Sequence, residues 1–216
     1  KSAGTATASG AVACGSAASV LAGTLDLAGH SLAVNDSLAV AHGATLKLQG
    51  GETVSRGSLD LPNGSTVEYN GTGTYAGFPA TMGNAYRNLA FSGSGTWQPA
   101  AAVTVAEGLT MTAGTYEVLD TRSLTVAGDT ALSGTSTLRL DGGGTLGIGG
   151  GSTLSSAAGS TFQVAGAADK IAPIQNDGSG YYDLPLSGNV HVRYARIDDL
   201  AAPCVTLDGA GTTTFD

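Results

Sequence analysis

The sequence predicts an all-β chain wound as a right-handed parallel β-helix, nine to ten coils of about 22 residues with three short strands per coil. Three observations carry this expectation. Apolar–any–apolar triplets recur along the chain, small-residue turns separate them, and equivalent triplets return at a nearly constant interval.

The triplets include Leu25-Asp26-Leu27, Leu46-Lys47-Leu48, Val67-Glu68-Tyr69, Val103-Thr104-Val105, Leu124-Thr125-Val126 and Leu138-Arg139-Leu140. Alternate side chains of an extended chain point to opposite faces, so each triplet buries its outer residues and exposes the middle one. The connectors are Ala-Gly, Gly-Gly, Asn-Gly and Asp-Gly pairs, which favour tight turns. The period follows from three columns. The first runs Leu25, Leu46, Val67, Leu89, Leu109, Leu132, Leu154, Ile174 and Ile197. The second runs Leu32, Val54, Trp97, Tyr116, Leu138, Phe162, Leu184 and Val205. The third runs Leu38, Leu59, Val103, Leu124, Leu146 and Val192. Residues 1–216 read as one solenoid domain, about 45 Å long at a rise of about 4.8 Å per coil. Residues 1–24 read as an irregular first coil or cap.

Composition agrees. The 216 residues include 34 Gly, and only 12% are charged and 6% aromatic. Disordered chains carry more charge, and helical bundles need long Ala/Glu/Lys/Leu runs. No apolar stretch approaches the roughly 20 residues of a membrane helix, so membrane insertion is not expected. A net charge of −8 opposes a groove that tracks a nucleic-acid backbone.

The outward residues offer a check on register. Asp26, Lys47 and Glu68 would stack with alternating sign, and Glu117 would lie one coil from Arg139. A flat ice-binding face is not expected, because the outward middle positions mix Thr with charged residues.

Two stretches break the period. Residues 70–88 contain Tyr75, Phe78, Pro79, Met82 and Tyr86, and read as a distorted coil or a projecting loop. Residues 166–183 contain Pro173, Asn176, Asp177, Tyr181 and Tyr182 and are similarly irregular. Loops inserted in solenoids often bind ligands. Tyr75, Phe78 and Tyr86 are therefore candidate contacts for a carbohydrate or a host surface, the alternative being that they cap the neighbouring core.

The segments Ser65-Thr66-Val67-Glu68-Tyr69-Asn70-Gly71-Thr72-Gly73 and Tyr86-Arg87-Asn88-Leu89-Ala90-Phe91-Ser92-Gly93-Ser94-Gly95-Thr96, followed by Val103-Thr104-Val105 and Leu109-Thr110-Met111, form a recognisable unit. It resembles a repeat of secreted bacterial β-helical surface proteins of the filamentous-haemagglutinin and autotransporter-passenger type. The resemblance implies export, a secreted or cell-surface location and an adhesive or structural role, and it carries over no catalytic residue. The aromatic-rich stretch between the two halves departs from the pattern. No secretory leader is read in the sequence, so export is expected from style and resemblance alone.

Two cysteines, Cys14 and Cys204, stand near opposite ends. About eight coil rises would separate them, roughly 40 Å, whereas a disulfide needs Cα atoms within about 7 Å. No intrachain bond is expected. Two buried thiols are one reading, and an intermolecular bond from the tail of one subunit to the head of the next is the other. Neither terminal stretch resembles a polar cap, which leaves two explanations: a fragment of a longer solenoid, or subunits that stack end to end.

Catalytic motifs are not read in the chain, and neither enzyme activity, a metal nor a cofactor is expected. His30, His42 and His191 are scattered. The glycine runs near Asp141 and Gly149 lack the repeated Asp of a calcium-binding roll. Asp183, Asp198 and Asp199, with Arg193 and Arg196, are the best enzymatic candidates, by analogy with β-helical enzymes acting on polysaccharides. The sequence thus points to an extracellular structural or adhesin segment. A self-assembling fibre subunit and a carbohydrate-active β-helix are the alternatives.

Overall fold

The computed structural model describes residues 4–79, 81–202, 205–207 and 211–215, and these fold as an all-β solenoid without helices. Among the described residues no helix is therefore long and apolar enough to cross a membrane. Every named strand pair is parallel, and each coil lays one strand on each of three faces. The first face is a single ten-stranded sheet from Thr5–Thr7 to Thr206–Leu207. The second face carries a three-stranded and then a seven-stranded sheet, and the third a three-stranded and then a six-stranded sheet. Among the described residues this makes nine complete coils and two strands of a tenth. The coils begin with the first-face strands Thr5–Thr7, Gly23–Asp26, Ala44–Leu48, Thr66–Tyr69, Asn88–Phe91, Leu109–Met111, Thr130–Leu132, Leu154–Ser156, Pro185–Leu186 and Thr206–Leu207.

The predicted first column is observed through Leu25, Leu46, Val67, Leu89 and Leu109. The next residue of that column is Thr130, followed by Leu154. Leu132 instead continues the adjacent column below Met111. Ile174 and Ile197 lie on the third face below Leu146. The second column holds for Leu32 with Val54 and for Trp97, Tyr116, Leu138 and Phe162, but Val190 follows Phe162 in place of Leu184. Leu38 pairs with Leu59, and Val103, Leu124 and Leu146 stack, while Val192 belongs to the second face. The late slips have one cause. Coil 8 and its exit carry extra residues, in an excursion closed by an antiparallel bridge between Ala167 and Lys170 and in the turn after strand Ala172–Asn176. A fixed step therefore lands on the wrong face.

The core runs continuously from Val20 to Val190. Its middle is aromatic: Tyr69, Phe78, Phe91, Trp97 and Tyr116 are buried, with ring centroids 4.5 Å apart for Tyr69–Phe78 and 4.8 Å for Phe91–Trp97. Edge-to-face and tilted pairs of this kind add to area burial. Gly114 turns the chain tightly beside them. Its φ is +73°, and a Cβ there would lie 2.4 Å from the Gly93 carbonyl oxygen and 2.7 Å from the Trp97 ring. Leu25 and Ile197, expected in the core, are only partly buried.

The charge ladders form as expected: Lys47 pairs with Glu68 at 2.8 Å and Arg139 with Glu117 at 3.2 Å. Asp26 instead accepts a hydrogen bond from the Ala28 amide. The Lys47–Glu68 pair is solvated and contributes about 0–1 kcal/mol, whereas Glu117 is buried beside Arg139. Two threonine ladders also run down the rod. Thr5, Thr24, Thr45 and Thr66 stack on the first face and end at Asn88. Thr74, Thr96, Thr115, Thr137 and Thr161 stack on the second and end at Asn189. Both asparagines accept a hydrogen bond from an amide of the next coil, Gly108 and Thr212 respectively.

Residues 70–88 form a distorted coil within the rod, with strands Thr74–Phe78 and Ala85–Tyr86. Residues 4–20 already pair as a first coil, through Thr5–Thr7, Val12–Cys14 and Ala18–Val20.

Candidate functional site

The most distinctive surface lies where coil 3 meets coil 4. On the second face, strand Val54–Ser55 ends the three-stranded sheet and Thr74–Phe78 begins the seven-stranded one. On the third face, Ser58–Asp60 ends one sheet and Ala85–Tyr86 begins the next. A cleft opens at each break. The first, about 360 Å³, is lined by Gly50, Gly51, Glu52, Thr74, Tyr75 and Thr81 among others. The second, about 370 Å³, lies between Leu59–Asp60–Leu61 and Ala85–Tyr86–Arg87.

Local sequence explains the first cleft. Gly50 has φ +125° and lies so close to Trp97 and Tyr75 that a Cβ would come within 2.8 Å and 2.9 Å of them, and the Glu52 side chain reaches back to this turn. The Glu52 carboxylate accepts amide hydrogen bonds from Gln49 (2.5 Å), Gly50 (2.7 Å) and Gly29 (3.2 Å) and is 8% exposed. Both of its oxygens are thus committed to backbone donors. Thr81 is committed as well: its hydroxyl donates to the Glu52 carbonyl and accepts from the Val54 amide. What the cleft offers a ligand is the Thr74 hydroxyl, the exposed part of the Tyr75 ring and main-chain groups. That is a mixed polar–apolar surface.

Tyr75, Phe78 and Tyr86 are brought to this junction in different roles. Tyr75 is partly buried, stacks on Trp97 (5.8 Å, 16°), and is hemmed in by Gly50, Gly71 and Gly95. Phe78 and Tyr86 are buried, at 2% and 3% exposure. Phe78 packs edge-on against Tyr69, and the Tyr86 hydroxyl lies 3.2 Å from that of Tyr69. Both rings belong to the core, and of the three only Tyr75 is half-exposed.

The other candidates lie apart. Asp183 lines a shallow cleft with Thr153, Leu184, Pro185, Ala202 and Thr206. Arg196 is paired with Asp198 at 2.6 Å, and Arg193 lies over the Tyr194 ring. Neither arginine, nor Asp198 or Asp199, lines the Asp183 cleft. His42 contacts the Asn63 carbonyl through Nδ1 at 2.8 Å. Among the described residues no cluster of three or more metal-ligating side chains occurs. Cys14 is a partly buried free thiol, and Cys204 lies outside the described residues.

Glu52, which sequence reasoning missed, is the polar keystone of this junction. Glu52→Ala removes the acceptor of three amides, and charged hydrogen bonds carry about 1.5–3 kcal/mol each. Some of those amides regain water, so a loss of about 3 kcal/mol is expected, read as a lower midpoint in urea with an unchanged far-ultraviolet spectrum before the transition.

No protein-family model matches the chain, and neither the curated proteins nor the solved structures returned a match.

Proposed function

We propose that the chain is a structural module of an extracellular adhesin-type bacterial surface protein, a stiff spacer that carries contact surfaces away from the cell. The observation that supports this most is the first face. One sheet of ten parallel strands runs through every coil, and the core beneath it is continuous. Such a ladder joins each coil to both neighbours along the rod, the continuous connection that a spacer requires. The likeness of residues 65–111 to repeats of secreted surface proteins supports the location. The cleft beside Tyr75 is the surface on which a hydroxylated ligand, such as a host glycan, would rest.

The test is adhesion together with shape. Beads coated with the purified chain should be retained on host-cell layers or immobilised glycans above uncoated beads, and the free chain should appear as short separate rods in negative stain. Retention at the level of uncoated beads would overturn the adhesive role. Long filaments at micromolar concentration would favour the fibre-subunit reading in its place. Release of reducing ends from polysaccharides would favour the carbohydrate-active one.

A further inference from the structure

The geometry points to a parting line built into the rod: we propose that coils 1–3 open as one unit along the junction with coil 4 while coils 4–9 stay folded. Between these blocks only the first face is continuous in main-chain pairing. There Thr45, Leu46, Lys47 and Leu48 pair with Thr66, Val67, Glu68 and Tyr69. Neither of the other faces has a strand pair or a backbone–backbone hydrogen bond across the junction among the described residues. Elsewhere neighbouring complete coils pair on all three faces, so this interface has lost most of its ladder.

Side chains take the place of the missing pairing. The Arg56 guanidinium donates to the carbonyls of Thr81 and Met82. Arg87 Nε donates to the Leu61 carbonyl at 3.1 Å, and Trp97 Nε1 reaches back to the Gln49 carbonyl at 3.2 Å. The Thr81 hydroxyl adds its bonds to the Glu52 carbonyl and the Val54 amide, and all of these side-chain contacts sit on a seam flanked by two clefts. The guanidinium that clamps it is itself incompletely satisfied, for Arg56 Nε is buried without a partner.

Each side of the seam is coherent. Coils 1–3 keep unbroken pairing on all three faces, and Leu27, Leu32, Leu38 and Val40 are buried within them. The aromatic cluster lies in coils 4–6. In a solenoid, stability is a sum of coil terms and nearest-neighbour interface terms. The weakest interface then defines a boundary between cooperative units. The apolar core does cross the seam, through Leu48, Tyr69 and Met82, so the blocks stay docked under native conditions.

Native-state amide exchange of the whole chain in low urea tests this. Protected amides of residues 23–60 should exchange together, faster than those of 88–165, with a step at the junction. Arg56→Met should quicken the first set by about tenfold or more, since hydrogen bonds to a charged group carry about 1.5–3 kcal/mol and 1.4 kcal/mol is tenfold, and should leave the second set unchanged. A smooth gradient of exchange from coil 1 inward, a step at another coil, or one common rate for both blocks would each overturn the proposal. If Arg56→Met does not fold, the profile of the unaltered chain decides alone.

Discussion

Leu109→Asp is expected to leave the middle of the rod unfolded at room temperature. Leu109 is 1% exposed and lies in register between Leu89 and Thr130 on the first face. No described cation is hydrogen-bonded or ion-paired at this position, so a carboxylate there would be a buried, unpaired charge costing several kcal/mol. Removing the leucine itself costs about 2–5 kcal/mol. Together these approach the whole stability of an ordinary domain, about 5–15 kcal/mol. The topology sharpens the effect, because a solenoid coil has only its two neighbours for support. Thr110→Asp is the control: its side chain is exposed on the same strand, and a change within about 0.5 kcal/mol is expected. Circular dichroism melts of the two variants check both statements. A Leu109→Asp variant that melts like the parent would remove Leu109 from the core.

The first half of the solenoid was legible because a column can be followed by its apolar residues alone. Leu25, Leu46, Val67, Leu89 and Leu109 stack as the period requires. The column was lost at a single polar residue. Thr130 occupies the core site, fully buried, and a search for apolar positions passes over it to Leu132, two residues further on the same face. Beyond residue 165 the chain inserts residues into the coil, and no fixed step survives that.

The junction between coils 3 and 4 leaves a trace in the spacing of the columns. The second column jumps from Val54 to Trp97 and the third from Leu59 to Val103, each across two periods. The structure fills the first gap with Tyr75, which pairs with Trp97; on the third face Tyr86 pairs with Val105, in the column beside that of Val103. Aromatic residues among glycines and prolines look like a loop in sequence, yet here they widen a core. The absence of main-chain pairing across the seam has no local signature, because pairing between coils joins residues about 22 apart. Glu52 was equally hidden: its partners Gln49 and Gly50 are local, but only the bend at Gly50 aims their amides inward. The threonine ladders lie outside the apolar–any–apolar triplets, whose outward residue is the middle one. The threonines precede the first apolar residue instead, as in Thr45-Leu46 and Thr137-Leu138.

Raising the pH should unfold the chain cooperatively, and four tyrosines dictate where. Burial pushes the hydroxyls of Tyr69, Tyr86 and Tyr116 well above the ordinary tyrosine value, and burial followed by the nearby Asp198 and Asp199 carboxylates does the same to Tyr182. The ordinary value, near 10, applies to the unfolded chain. Above it the unfolded chain releases these protons and the folded chain keeps them. Their contribution to stability is therefore intact below about pH 10 and is lost progressively as the pH rises toward the folded values. Each group removes about 1.4 kcal/mol per pH unit. Four groups acting together remove roughly 5–6 kcal/mol per unit, enough to exhaust a typical domain within one or two units. Phenolate absorbance from these residues should therefore appear together with loss of the β-sheet signal, between about pH 10 and 12. Absorbance that rises to completion while the sheet signal persists would mean that these hydroxyls titrate in the folded state. Tyr116 gives an independent check, because its hydroxyl is buried without a hydrogen-bond partner. Tyr116→Phe removes both an unsatisfied group and a group that ionises on unfolding. It should raise stability at neutral pH by about 1 kcal/mol and move the alkaline transition upward, an effect opposite in sign to that of most core substitutions.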